Sequence, residues 1–533
     1  MVEVSNGWKG LQDNTLLPQT HIAIICTATE PGLQQDATIS GNYPESFSNT
    51  INDNESDTYA TLDYGAWGLD GTYSYLDETI ENTGYVDKNC SWIDCTFDVD
   101  PLPTITIDFS ERREALIPGM TVLWSDVFQG WAVDFTVTAY NDGREVGQKI
   151  ITDNTSVFSE IWFDLSNYSR ITIEISKWSH PYQRVRCSHI NLSLQLVYAK
   201  TDLMGFDHTQ SVDVLSATLP RSEVTFKLRN DDDRWNPDSP TNQARYLMEQ
   251  QEIKVRYGMD VGSTVEWIDG GTFWLTEWNT PSNGLEASFT ARDAIAFMTT
   301  RYMGTRVGTL YEIAETAFTN ANLPLIGGEA ITCVIDGSLK NISTDFSSDS
   351  TDYTIAEILQ LVAHAGNCVF YQDRQGVVRI EPRNRTFSDY RIGPRISYAH
   401  PEYNMNKPLK SISVSYGDNL REDVVVDSKG EVQTIDNPLI TTKTQAISVA
   451  EHARDILVNR KVISGEFRAD LRVDALDNII VVSKYASNII AVSEINYSTN
   501  SGSFRGKYTG RVVFAESESE KIYSGEFYLG EVF

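Results

Sequence analysis

Hydrophobic and polar positions alternate with period two over much of this chain. In PTITIDFS, Ile105, Ile107 and Phe109 fall on one face. Val133, Phe135, Val137 and Ala139 do the same before an Asn-Asp-Gly turn, and Ile171, Ile173 and Ile175 repeat it in RITIEISKW. Short alternating runs separated by turns predict an antiparallel sandwich. Almost no helical periodicity interrupts residues 36–197, so that span is expected to be one domain of jelly-roll type. It is preceded by one apolar strand, His21–Thr27, and its first part, 36–100, is polar and aperiodic.

Beyond 198 the texture changes. Strands are predicted at Val212–Leu219, Glu223–Leu228, Ile253–Tyr257, Gly271–Trp278 and Glu286–Ala291, with a short helix at Thr241–Gln250. Three further helices carry start signals of the capping-box kind: Thr309 with Glu312, Thr354 with Glu357, and Ser448 with Glu451. The second is expected to stop at Gly366 in a left-handed conformation. A strand at Leu409–Tyr416 and a polar loop over 417–438 precede the third. Strands then return at Gly465–Val473, Asn478–Lys484, Ile489–Tyr497 and Gly506–Phe514. The fold class expected is mainly β with some α, in several domains: 1–35, 36–197, 198–304, 305–385 and 386–533. At 533 residues, one core would not suffice.

Composition narrows the function classes. Acidic residues outnumber basic ones 74 to 43, a formal net charge of −31. Stable binding to nucleic acid or anionic lipid needs the opposite balance, although an acidic lumen would let DNA slide past without sticking. No apolar run is long enough to span a bilayer and no secretory signal opens the chain. Six scattered cysteines are too sparse for a disulfide scaffold.

Candidate chemistry is thin. Phosphate-loop, dinucleotide, nucleophile-elbow and zinc-protease motifs are missing, and catalytic residues are not expected. Acidic clusters such as Asp231–Asp233, before a loop pinned by Trp235 and Pro237, read as solvated turns. His364 and Cys368 read as core. Cys90, Cys95, Cys187 and His189 leave three readings open: plain thiols, a Cys90–Cys95 disulfide, or zinc. Asp53, Glu55 and Asp57 alternate as calcium ligands would. Trp124, Trp131, Trp178 and Tyr182 depart from the inward alternation of the sandwich, which suits either stacking on a glycan or structural capping.

The order of segments carries a resemblance. VDVLSATLPRSEVTFKLRNDDDRWNPDSP, IKVRYGM and GTFWLTEWNTPSNGLEASFTARDAIAFM, then TIAEILQLVAHAGNCVFYQDRQGVVRIEP, then ISVAEHARDIL and FRADLRVDALDNIIVV resemble the hub domains of bacteriophage tail tips and baseplates. The span is roughly 200–514 together with the strand near 20–30. The resemblance implies a homotrimeric ring joining the tail tube to the tip at the virion tail end. Its implied partners are the distal tail protein, the tail tube, the tape-measure C-terminus and tip or fibre proteins, with DNA passing through. PTITIDFS, FTVTAYNDG and FDLSNYSRITIEISKWSHPYQRVRCSHI are similar to discoidin-like, galactose-binding-type sandwiches, a resemblance that leaves open either a host glycan as a further partner or a role in adhesion or packing alone. Longer relatives continue into fibre or wall-cutting domains; this chain stops at Phe533, so no such activity is expected. The competing class is an extracellular glycan-active enzyme or adhesin with an appended sugar-binding sandwich.

Overall fold

The computed structural model describes residues 1–12, 20–30, 32–42, 44–46, 59–66, 84–125, 128–199, 202–236, 238–239, 242–262, 264–279, 284–321, 323, 325–326, 331–383, 390–417, 420–483, 486–500 and 503–513. The chain is mainly β with a smaller helical part. Among the described residues, the buried apolar side chains form three cores.

The first core lies against a 13-stranded sheet. Its path runs from Leu194–Ala199 through Thr20–Ala28, Glu252–Val261, Thr264–Asn279, Glu286–Arg292, Arg221–Arg229 and Leu203–Ser211. It continues through Ser487–Asn500, Ser503–Val512 and Lys461–Arg468 to Glu402–Met405, while Asn478–Val482 pairs with Ser487–Asn500 off this path and carries Arg391–Ile392. Strands from the two halves of the sequence meet where Thr209 lies opposite Asn496. Alternation explains the shared core: Val224, Phe226 and Leu228 from one half pack with Ile463, Phe467, Ile490 and Val492 from the other.

Three elements differ from expectation here, the first being the strand expected at Gly465–Val473, which runs Lys461–Arg468 and ends in a turn where the Asp470 carboxylate accepts the Arg472 amide at 3.1 Å. Val212–Leu219 is a turn, because the Asp213 carboxylate accepts hydrogen bonds from the amides of Leu215 (3.0 Å) and Ala217 (3.1 Å) and so competes with a ladder. Of the helix at Thr241–Gln250 only a 3-10 turn, Ala244–Tyr246, forms. The amide of Gln250 is taken by the carbonyl of Leu275 instead.

The second core belongs to the helices. Leu310–Thr319 and Ile355–Ala365 each begin with a complete capping box, at Thr309/Glu312 and Thr354/Glu357. The third helix, Lys443–Leu457, starts earlier than expected. Thr442 caps the amide of Gln445, and Ser448 sits inside the helix. At Gly366 φ is −95°, and the left-handed residue is Asn367. The loop over 417–438 contains two strands, Leu420–Val425 and Glu431–Ile435, on either side of Leu409–Tyr416. Both are edge strands with mostly exposed side chains, so their sequences carry little apolar signal.

A buried polar seam joins the helical part to the sheet. The Arg374 guanidinium donates to Asp474 at 2.9 Å and to the carbonyls of Asp269 and Leu471, both at 2.7 Å. Beside it, Gln372 donates to the carbonyl of Thr272 and accepts from the amide of Ala294, each at 2.7 Å.

The third core fills a sandwich. One sheet is Thr38–Gly41, Thr104–Arg113, Tyr168–Trp178, Ala132–Asn141 and Arg144–Ile151 in spatial order. Facing it are two three-stranded sheets, His189–Asn191 with Ile117–Leu123 and Phe158–Leu165, and Arg184–Cys187 with Tyr85–Cys90 and Pro44–Ser46. This sandwich leaves and rejoins the large sheet at adjacent positions, since Ala28 lies opposite Leu194. The neck is stapled: Thr29 Oγ1 donates to the carbonyl of Leu192 (3.1 Å), and Gln34 bonds Ile190 and Leu192.

Candidate functional site

The strand Tyr168–Trp178 runs the length of the sandwich and separates two ends. Its start lies at the neck, where Tyr168 pairs with Arg113 and Arg113 bridges Glu30 and Asp36. Its last residue, Trp178, donates its amide to the carbonyl of Cys95 at 2.9 Å. Eleven residues of strand put that second end about 30 Å from the neck.

Three segments converge there: 59–66, 91–96 and 179–186. Burial alternates along the first, but with the usual chemistry reversed. Tyr59, Thr61 and Asp63 point inward and Leu62 and Tyr64 outward. The inward groups share one partner, the buried guanidinium of Arg186. It donates to the Tyr59 hydroxyl, to Thr61 Oγ1 (3.1 Å) and to Asp63 Oδ2 (2.7 Å), and lies 4.4 Å over the ring of Phe128. Arg184 adds a second ion pair to Asp63 at 3.3 Å. Burial also pushes the Tyr59 phenol up in pKa, so it stays a neutral hydroxyl. Satisfying a buried cation therefore dictates which side chains of 59–64 face inward, and this expels Leu62 and Tyr64.

Main-chain bonds fix the other two segments. Tyr64 donates its amide to the carbonyl of Tyr182 (3.3 Å), Tyr182 to Ser91 (3.0 Å), and Ser91 to Gln183 (2.9 Å). Trp92 and Cys95 close a tight turn, with the Cys95 amide on the carbonyl of Trp92 at 2.9 Å. Tyr182 (φ 57°) and Cys95 (φ 67°) both sit in the left-handed region, which costs a residue with a Cβ about 1 kcal/mol or more. The product is a surface of exposed apolar side chains: Leu62 94%, Ile93 73%, Tyr64 72%, Trp92 54% and Tyr182 45%. The rings of Tyr64 and Tyr182 meet edge-on at 6.4 Å.

The aromatic residues singled out in the sequence divide. Trp124 and Trp178 do follow the inward pattern after all, at 0% and 1% exposure. They pack edge-to-face against each other, and Trp124 Nε1 donates to Ser159 Oγ at 2.9 Å. Both rings are core. Trp131 is half-buried, its Nε1 donating to the carbonyl of Asn154 (3.0 Å) and its ring set against His180. Only Tyr182 joins the exposed surface. Tyr64 and Trp92 escaped notice because they lie in or beside the aperiodic stretch; the available signal was an apolar Trp-Ile pair inside a polar turn.

Asp53, Glu55 and Asp57 lie outside the described residues. All six cysteines are free thiols. Cys187 is buried, its Sγ 3.6 Å from the carbonyl of Leu123, while Cys90 is exposed. Among the described residues no three His, Cys, Asp or Glu side chains are grouped to hold a metal, and no helix is long and apolar enough to cross a membrane. Asp231 and Asp232 pair with Arg229 and Arg234 beside the buried Trp235; Pro237 lies outside the described residues. Burial lowers the pKa of His364 and raises that of Cys368 to about 12, as suits core side chains.

No protein-family model matches the sequence, and no curated protein matches it. Among solved structures, the chain is similar to the 43 kDa tail protein of prophage MuSo2 from Shewanella oneidensis. That match has 12% identity and a TM-score of 0.40, covering 60% of this chain and 95% of that one. A tail protein from Neisseria meningitidis matches at 8% identity and TM-score 0.42, covering 59% and 93%. The prophage tail protein gp18 from Listeria monocytogenes matches at 9% and 0.39, covering 63% and 97%.

Proposed function

We propose that this chain is a structural hub protein of a bacteriophage tail tip, assembling as a homotrimeric ring between the tail tube and the tip. The observation that carries the reading is the large sheet. It unites strands from both halves of the sequence, and its main path ends on Leu194–Ala199 and Glu402–Met405, with Arg391–Ile392 ending a side branch. Each has a single strand partner among the described residues. Val197 at one edge and Tyr403 and Met405 at the other are exposed. A strand edge at each end of that path offers backbone groups for continuation by a further copy, and such a head-to-tail contact gives a ring when its rotation closes.

The order of segments resembling tail hubs supports the same reading. The net charge of −31 suits a channel that DNA traverses without binding. The distal tail protein, the tape-measure C-terminus and tip or fibre proteins are its neighbours in this proposal, and opening of the ring releases DNA. The stapled neck holds the sandwich to one side, with its aromatic end presented to the host surface. Fractionation of purified particles into tails and capsids tests the assignment. Mass spectrometry should find the chain in the tail fraction, and its presence only in capsids or its absence from particles would overturn it.

A further inference from the structure

We infer that the cleft between Arg221 and Arg292 is a docking site for the acidic segment 516–520 of the same chain. The cleft lies where the sheet passes into the helical part and has a volume of about 420 Å³. Leu219, Pro220, Arg221, Arg292, Asp293 and Ala296 line it. Three features of the molecule support this occupant, and the first is charge. Arg221 donates to both oxygens of Glu223 at 2.9 Å, and Arg292 Nε donates to the same carboxylate at 2.7 Å. Neither guanidinium has another carboxylate partner among the described residues, and both are exposed, at 62% and 43%. One carboxylate thus serves two cations, which leaves N–H donors free and a local positive excess on a chain of net charge −31. Asp293 turns its oxygens to the amides of Ser222 and Ala296, and burial raises its pKa to about 7, which holds back its negative charge. Glu494 shares the row of Arg221 but stands two strand spacings away, about 10 Å.

The second feature is spacing. Glu223 lies opposite Arg292 on neighbouring strands, so Arg221, two residues earlier, sits diagonally from Arg292 at about 7–8 Å. Residues 516–520 read Glu-Ser-Glu-Ser-Glu. Alternate residues of an extended segment face the same way about 7 Å apart, so two successive glutamates match the two guanidiniums. Each pairing is a charge-assisted hydrogen bond.

The third is reach. Arg221, Ser211, Glu494 and Thr509 form one row across neighbouring strands, about 14 Å wide. Val513 still donates its amide to the carbonyl of Ile489 (2.9 Å) just before the acidic sequence begins. That point of departure is roughly 20 Å from Arg221. Glu518 and Glu520 follow it by five and seven residues, which span about 17–24 Å when extended. Docked there, the segment ties the sequence beyond it to the joint between sheet and helices.

The test uses the full chain and does not depend on ring assembly. Arg292→Lys sets an amine at the cleft while Arg221 stays, and a carbodiimide then condenses that amine with carboxylates in contact with it. Mass spectrometry identifies the partners. Glu223 is the built-in positive control, since Arg292 already lies 2.7 Å from it. A second product, with Glu518 or Glu520, is expected in roughly fivefold or greater excess over Glu526 and Glu531, which share the same tether. Adding Arg221→Ala, or salt to about 0.5 M, should lower that product several-fold, and diluting the chain should not. Unaltered melting of the variants excludes misfolding. Products confined to Glu223, equal yields at all four distant glutamates, indifference to Arg221→Ala, or a yield that falls on dilution would overturn the inference.

Discussion

The large sheet holds its two neighbours by opposite means. The helical part is locked on through a buried polar seam, where Arg374 satisfies a carboxylate and two carbonyls of the sheet at once. The sandwich is held at a neck of two adjacent strand ends, a few side-chain bonds and the half-buried Glu30–Arg113–Asp36 cluster, with one further contact where Asp164 accepts from the Tyr246 hydroxyl at 2.7 Å and pairs with Arg245. A seam of buried charge couples the stability of the parts on either side, because neither can leave without stranding an ion. A neck does not. The difference teaches that sheet and helices form one mechanical unit, while the sandwich is an appended module whose surface can diversify without disturbing the body.

Breaking the seam should have the largest effect. Arg374→Ala strands Asp474 and two carbonyl contacts and is expected to cost about 3–5 kcal/mol. Denaturation monitored by hydrogen exchange should show the sheet and the helices loosening together, with the sandwich unaffected. Loosening confined to the 373–376 turn would refute the coupling.

Asp293 sharpens the same contrast through pH. It accepts the amides of Ser222 (2.6 Å) and Ala296 (3.1 Å) where the sheet passes into the helical part. Burial raises its pKa from 3.8 to about 7. A raised folded-state value contributes stability below the unfolded pKa that is lost as pH rises through about 7. Buried His208, lowered to about 3 from 6.5, acts in the opposite sense: its contribution is present above 6.5 and lost as pH falls. The two slopes oppose each other between about pH 4 and 6.5. Asp293→Asn leaves one amide poorly accepted, costing about 1–3 kcal/mol near pH 5. The deficit relative to the parent should shrink as pH rises from about 4 to about 7 and level off above that, and melting curves at several pH values would show a constant deficit if the assignment were wrong.

At the neck the expected effect is smallest. Arg113→Ala removes a partly screened ion pair and should cost about 1 kcal/mol. Only the sandwich should become more labile to limited proteolysis; a matching change in the body would erase the distinction between seam and neck.

Much of this architecture was legible locally. Ile105, Ile107 and Phe109, and the capping boxes at Thr309 and Thr354, announce themselves within a few residues because their partners are close in sequence. The Ser448 signal misled for the same reason: Ser-x-x-Glu also fits a helix interior when an earlier Thr442 has already supplied the cap. The pairing of Thr209 with Asn496 leaves no local trace, so the union of both halves in one sheet was not readable. The site was half hidden. Tyr182 stood out from the strand pattern, but Tyr64 and Trp92 became visible only once Arg186 was seen to draw Tyr59, Thr61 and Asp63 inward.

The most direct measurement of the central claim is cryo-electron microscopy of purified virions, focused on the tail tip. The account predicts a trimeric ring around the distal end of the tube, with the Leu194–Ala199 edge of one copy beside the Glu402–Met405 edge of the next and Trp92 facing outward. A tip without such a ring, or a chain located only on the capsid, would contradict it.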